Sequence, residues 1–426
     1  MTAGTVRLQV GTRMLYDGEA VEVIETVATM AGNEVVLKDR LGRLLRVAVK
    51  ELLFSDRAQV VPDGPGASSS DDKELNSAVL ALFASFAEAP DPARPQDLTM
   101  AELKLLDEQA VERHNRARRD YLANLRPIKT TQAEALFADL TEILEAGLEQ
   151  PNWQAKSMAA IDAFPGLGKT TIGLAFAKHV HNTLIRQYGR FTATGHERWP
   201  VIRVGMMGDT GVKDFNWAML EFFAHSGRKT GTASTFLSRA LDCALSCESR
   251  LLLVDDLQFL QFRSAQGAKL SNQFKSIANE FPVMILFIGH ELQTKGLYDD
   301  PQLAYRITPL ELKAFTIEDE AGREQWRNFL LALEQRLILA RKHPGMLAND
   351  LSDHLYARCH GHIGSLMTLV RRGCQRAFHT GEERLTVELM SQVKLDRAAE
   401  QRRAEWEARL ASGANSSRPA RRRKRG

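Results

Sequence analysis

Ala163-Phe-Pro-Gly-Leu-Gly-Lys-Thr-Thr171 is the stretch that decides the fold of this 426-residue chain. An apolar run, Ser157 to Ala163, leads into it, and a helical pattern from Thr170 to Tyr188 follows it. Gly166 and Gly168 let the backbone curl until several N–H groups point inward at the oxygens of a phosphate. The N-terminus of the next helix adds its partial positive charge. In that setting Lys169 reaches the β- and γ-phosphates, and the Thr170 hydroxyl is a ligand for Mg²⁺. The nucleotide-binding candidates are therefore Pro165, Gly166, Leu167, Gly168, Lys169, Thr170 and Thr171. Ala163 stands where the usual pattern places its first glycine.

The strand-helix alternation extends outward from this loop. The pattern predicts strands at Ser157–Ala163, Val201–Met207, Leu251–Asp255, Val283–Ile288 and Ile307–Leu312, with helices at Lys213–His225, Ala233–Ser249 and Ala268–Phe281. Near-continuous apolar strands between helices describe an α/β core, a parallel five-stranded sheet with helices on both faces. Upstream, Thr131-x-x-Glu134 reads as a capping box opening a helix to about Ala146. Thr99 to Asn124 reads as one charge-rich helix with Arg113, Arg116, Arg118 and Arg119 near its end. That cluster is a solvated helix face or a DNA-facing one. Beyond Phe315 the pattern is helical throughout: Thr316–Arg336, Met346–Cys359, Ile363–Phe378 and Thr386–Leu410. There is no internal repeat.

Arg250-Leu-Leu-Leu-Val-Asp-Asp256 is an apolar strand ending in two carboxylates, 86 residues after Lys169. On a strand neighbouring the phosphate loop, Asp255 holds Mg²⁺ through water, and Asp256 orients or deprotonates the attacking water. Glutamate is common at the second position. Aspartate is one methylene shorter, which predicts slow hydrolysis.

Composition excludes several classes. Hydrophobic residues make up 44% and charged residues 26% of the chain, as in an ordinary water-soluble globular protein. No apolar stretch approaches the roughly 20 residues of a membrane-spanning helix, and no secretory leader is visible. Four cysteines in a chain of this length make no disulfide framework, so a reducing, cytoplasmic setting is expected. Cys359-His360-Gly361-His362 lacks the second ligand pair of a structural zinc site. The net charge is +3, yet six basic residues and no acidic one fall between Ser412 and Gly426. The rest of the chain is therefore net acidic, and the positive charge sits on a tail. That tail is a solvated end, a phosphate-binding arm or a contact for an acidic partner.

These motifs resemble the AAA+ ATPases, and most closely the transposition helper ATPases of the TniB/TnsC type, with the DnaA and IstB loaders as cousins. The resemblance runs from about Leu122 to Leu410. It includes Leu125-Arg-Pro-Ile-Lys-Thr-Thr-Gln132, similar to the segment that places an apolar residue, here Ile128, beside adenine. Ile285-Leu-Phe-Ile-Gly-His290 resembles the fourth strand and its sensor position, with His290 where Asn or Thr is often found. Asp300-Pro-Gln-Leu-Ala-Tyr-Arg-Ile307 resembles the segment that carries an arginine acting on a neighbouring subunit, here Arg306. Gly361-His-Ile-Gly-Ser-Leu366 is similar to the start of the lid helix, although no arginine occupies the lid's sensor place. The resemblance implies ATP and Mg²⁺ as cofactors and Lys169, Asp256 and Arg306 as catalytic residues. It also implies a homo-oligomeric ring or filament on double-stranded DNA, with a transposase as partner. A replication initiator, a helicase loader and a nucleotide-gated signalling scaffold with little hydrolysis are the rival readings.

The first fifty residues hold short β-branched runs separated by turns such as Asp17-Gly18, the pattern of a small SH3-like β-barrel. Val10 to Gly18 with Val35 to Gly42 resembles the small barrel of Mu-type transposases. The expected organisation is a barrel over residues 1–56 and a linker with a short helix over 57–98. An α/β ATPase core with its leading helices follows over 99–315, then a helical lid over 316–411 and a basic tail over 412–426.

Overall fold

The computed structural model describes residues 83–150, 154–207, 210–397 and 399–401, together with the backbone of five strands between residues 13 and 60. It divides into two compact units, Met1–Leu75 and Asn76–Gly426.

In the first unit, β1 (Arg13–Tyr16), β2 (Glu19–Thr29), β3 (Gly32–Asp39), β4 (Leu44–Ala48) and β5 (Ala58–Val60) form one antiparallel sheet in the order β4-β3-β2-β1-β5. Tyr16 pairs with Glu19 at the end of the β1–β2 ladder, while the expected turn Asp17-Gly18 lies outside the described residues. Closure of this sheet into the expected barrel lies outside the described residues, as does the basic tail.

In the second unit, β6 (Met158–Asp162), β7 (Val201–Gly205), β8 (Leu251–Asp255), β9 (Met284–Gly289) and β10 (Ile307–Glu311) form an all-parallel sheet in the order β10-β6-β9-β8-β7. The five strands fall where the apolar runs predict them. Successive residues of β9 point to opposite faces. On one face, Gly173 of the helix Lys169–Tyr188 presses on Ile288, where an added Cβ would meet Ile288 Cδ1 at 2.2 Å. On the other, Phe287 lies edge-on to Phe274, which in turn meets Phe215. Helices thus bury both faces of the sheet, and its strands are apolar throughout for that reason. The register aligns Asp162 with Gly289 and Gly205 with Asp255, which gathers their carboxyl ends on one edge. Ligands of open α/β sheets bind at that edge.

A second hydrophobic cluster is built around Phe315, Trp326, Leu330, Leu355 and Leu366 in the lid. The helix Glu108–Ala123 contributes Leu122 to this cluster, so the residues leading into the core pack against the lid. Arg118 is the anchor. Its guanidinium makes a two-pronged ion pair with Glu383 at 2.7 and 2.9 Å and lies 3.8 Å from the Phe378 ring centroid. Only 1% of its side chain is exposed. Both readings of the arginine cluster, a solvated face and a DNA-facing one, therefore fail for Arg118.

Several helix boundaries differ from expectation for local reasons. The leading helix divides into Met100–Leu105 and Glu108–Ala123 because the Asp107 carboxylate caps the second piece at Ala110 N. The helix Thr131–Glu149 is capped by Thr130, whose Oγ1 accepts from Ala133 N, in place of the expected box at Thr131. The expected helix Thr386–Leu410 is interrupted after Ser391 and resumes at Arg397, since buried Arg358 donates to the carbonyls of Met390 and Val393 and fixes a turn between the two pieces. The expected linker is docked over residues 83–98. Phe83 and Ala87 are buried in the core, while Lys178 donates to the carbonyls of Phe86 and Ala89.

Candidate functional site

The loop leaves β6 at Ala163, whose buried Cβ belongs to the core and whose N–H donates to Gly289 O at 3.2 Å. Gly166 and Gly168 have φ of +81° and +89°, the left-handed backbone that glycine adopts without strain. Leu167 is buried, so its side chain packs while its backbone stays in the curl. The helix begins at Lys169, one residue earlier than expected, and Gly168 is its N-cap. Pro165 and Thr171 are exposed on the rim.

Asp255 closes β8 with its side chain buried. Thr170 Oγ1 donates to Asp255 Oδ1 at 3.2 Å, which brings the two candidate Mg²⁺ residues together. Burial pushes the Asp255 carboxyl above the usual carboxylate range, and the neighbouring charge of Asp256 pushes it the same way. Burial also pulls the Lys169 ammonium below the usual lysine range, against the attraction of Asp255, Asp256 and Asp162. Two half-compensated charges of opposite sign thus face one loop. Oxygen donors crowded at a buried carboxylate suit a hard cation such as Mg²⁺.

Asp256 has φ +60°, uncommon for a residue with a Cβ. Its N–H donates to Asp255 Oδ1 at 2.9 Å, and its own Oδ1 accepts from Gln258 Nε2 at 2.8 Å. Sequence reasoning missed Gln258 and also Arg203, whose Nη2 stands 3.7 Å from Asp255 Oδ2. A lone cation inside the apolar run Val201-Ile-Arg-Val-Gly205 was the available signal for Arg203.

His290 follows β9, and its Nδ1 lies 3.7 Å from Glu291 Oε2. Ile128 lines a groove of about 850 Å³ with Arg126, Phe137, Ile172 and His179. Ile172 is one turn into the helix that follows the loop, so this groove lies beside the start of that helix. The lid reaches the loop directly, because Gly364 N donates to Gly166 O at 2.8 Å.

Arg306 is the residue that does not converge. Ile307 pairs with Met158 at the start of β6, whereas the loop leaves β6 after Asp162. At about 3.3 Å per residue, Arg306 sits some 15 Å from the loop edge, at the opposite end of the sheet. Its Nη1 donates to Asn279 Oδ1 at 2.8 Å. The neighbouring Tyr305 is almost fully exposed.

Among solved structures, the Orc1 protein of Aeropyrum pernix in complex with DNA is similar at 20% identity, with 71% of each chain covered and a TM-score of 0.46. The Orc2 protein of Aeropyrum pernix (ADPNP-ADP complexes) follows at 17% identity, with 64% of this chain and 66% of that chain covered and a TM-score of 0.46. AMPPCP-bound DnaA from Aquifex aeolicus is similar at 16% identity, with 69% and 73% covered and a TM-score of 0.38. No curated protein is matched. Residues 118–317, which contain the phosphate loop, the paired carboxylates and Arg306, match the family described as Bacterial TniB protein.

Proposed function

We propose that this chain is an ATP-binding and hydrolysing regulator of DNA transposition, assembled as a homo-oligomeric ring or filament on double-stranded DNA and acting on a transposase. The observation that carries the reading is the split site. Lys169, Thr170, Asp255 and Asp256 share one edge of the sheet, while Arg306 lies on the other. An arginine so placed serves the phosphates of a neighbouring copy, and head-to-tail addition of this kind builds rings or filaments.

In this reading the backbone N–H groups from Gly166 to Thr171 and the Lys169 ammonium hold the β- and γ-phosphates. Thr170 and Asp255 would hold Mg²⁺, which would supply positive charge to offset that of the phosphates. Asp256 orients the attacking water and takes its proton. Arg306 of the neighbouring copy stabilises charge on the transferred phosphoryl group. The transposase partner is supported by the TniB family match over residues 118–317.

The test is ATP turnover measured with and without duplex DNA, for the wild type and for Lys169→Ala. Turnover that rises with DNA and disappears in the folded variant is expected. Equal turnover in the two proteins overturns the loop assignment. ATP binding without turnover at any DNA concentration favours the nucleotide-gated scaffold.

A further inference from the structure

Gln258 lies two residues beyond Asp256, in the 3₁₀ turn Leu257–Phe259 that follows β8. Its Nε2 donates to Asp256 Oδ1 at 2.8 Å, while its Oε1 is buried and has no hydrogen-bond partner. The turn is wedged against the end of β9. An added Cβ at Gly289 would come within 3.3 Å of Gln258 N and 2.5 Å of Leu292 Cδ2. Asp256 is therefore held twice, through its own N–H to Asp255 and through its carboxylate to Gln258.

Packing alone does not explain a glutamine here. A buried amide carbonyl without a donor is costly, and leucine fills a similar volume without that penalty. What glutamine adds is the N–H on Asp256. A carboxylate free to rotate about χ1 presents its oxygens in several directions, and a misplacement of about 1 Å at a reacting group costs about 100-fold in rate.

We propose that Gln258 is a positioning residue for hydrolysis, its amide N–H fixing the Asp256 carboxylate so that Oδ2 is presented to the attacking water. This deepens the proposed function and rests on its reading of Asp256.

Gln258→Glu keeps the shape but exchanges the donor for a negative charge against Asp256, while Gln258→Leu removes both the donor and the unsatisfied carbonyl without adding charge. Both are expected to lower kcat about 100-fold and to leave the Kd for ATP within about twofold. Gln258→Leu is also expected to unfold at or above the wild-type temperature, which an amide retained for stability does not allow. A kcat within threefold of wild type in both variants, or a loss confined to ATP affinity, overturns the proposal. Asp256→Asn, assayed beside them, separates the two levels. Turnover that survives in Asp256→Asn overturns the reading of Asp256 itself. A dead Asp256→Asn with active Gln258 variants overturns only the positioning role.

Discussion

The N–H of Gly364, in the first turn of the lid helix Ile363–Thr380, donates to the carbonyl oxygen of Gly166 in the phosphate loop at 2.8 Å. Glycine at 364 makes this contact possible. A Cβ added at position 364 would lie 3.0 Å from Gly166 O and 3.2 Å from Gly166 Cα. The lid is therefore registered on the loop through backbone atoms.

Gly364→Val should force the lid start away from the loop while leaving Lys169 and Asp255 in place. Losing one backbone hydrogen bond of about 1 kcal/mol, together with the closure it supports, predicts about a tenfold weaker Kd for ATP. Titration with a fluorescent ATP analogue checks this, and wild-type affinity in the variant would show that the contact does not contribute to binding.

Asp255 gives a pH-dependent prediction. Burial raises its carboxyl above the usual range, so the native state binds this proton more tightly than the unfolded chain does. Stability is therefore lost as pH rises from the ordinary carboxylate value through the raised one, and the full penalty applies at neutral pH. Asp255→Asn removes the penalty. The nucleotide-free variant should melt at a higher temperature than wild type at pH 7, with a smaller gap under acid conditions, and it should lose Mg²⁺-dependent ATP turnover. A lower melting temperature at pH 7 would contradict the assignment of burial as the dominant cause.

How much of this was legible in sequence depends on how local each cause is. The strand Leu251–Asp255 was readable residue for residue, because burial on both faces leaves an unbroken apolar run. The loop was readable because its glycines have one physical use there. The division of Thr386–Leu410 was not, since no proline or glycine marks it and the cause is Arg358, some thirty residues earlier in sequence. Arg118 misled for the same reason. In sequence it belongs to a basic cluster, and only the fold brings Glu383 to it across 265 residues. The link from Gly364 to Gly166 required the orientation of the lid, which no local pattern encodes.

Arg118 and Glu383 supply a stability prediction. The pair is buried, two-pronged and shared with Ala340 N, which donates to Glu383 Oε2 at 3.1 Å. Removing one partner strands a charge, so Arg118→Ala or Glu383→Ala should each cost about 3–5 kcal/mol. Replacing both by apolar residues of similar size should cost less than the two single changes summed, since no charge is then left unpaired. Denaturant unfolding of the two single variants and the double variant checks this, and additive losses would show that the pair is not coupled.

Arg306 gives the prediction that separates action within one copy from action between copies. It lies at the far end of the sheet from its own loop, so Arg306→Ala should leave ATP binding by isolated subunits unchanged. Turnover in the assembled protein should fall steeply, since an arginine supplied in trans is worth about 10³–10⁵ in rate. Asp256→Asn should be equally inactive for the opposite reason, because it lacks the carboxylate proposed to orient the water but retains the arginine. Mixing the two should restore activity. Wherever an Asp256→Asn copy presents Arg306 to the loop of an Arg306→Ala copy, that interface holds an intact carboxylate and an intact arginine. In a randomly mixed oligomer about a quarter of the interfaces are of this kind, so the recovered rate should peak near equimolar mixing and fall off on both sides. Mixed oligomers that form yet stay inactive at every ratio would show that Arg306 does not act across the interface, and would return its contact with Asn279 to a purely structural role.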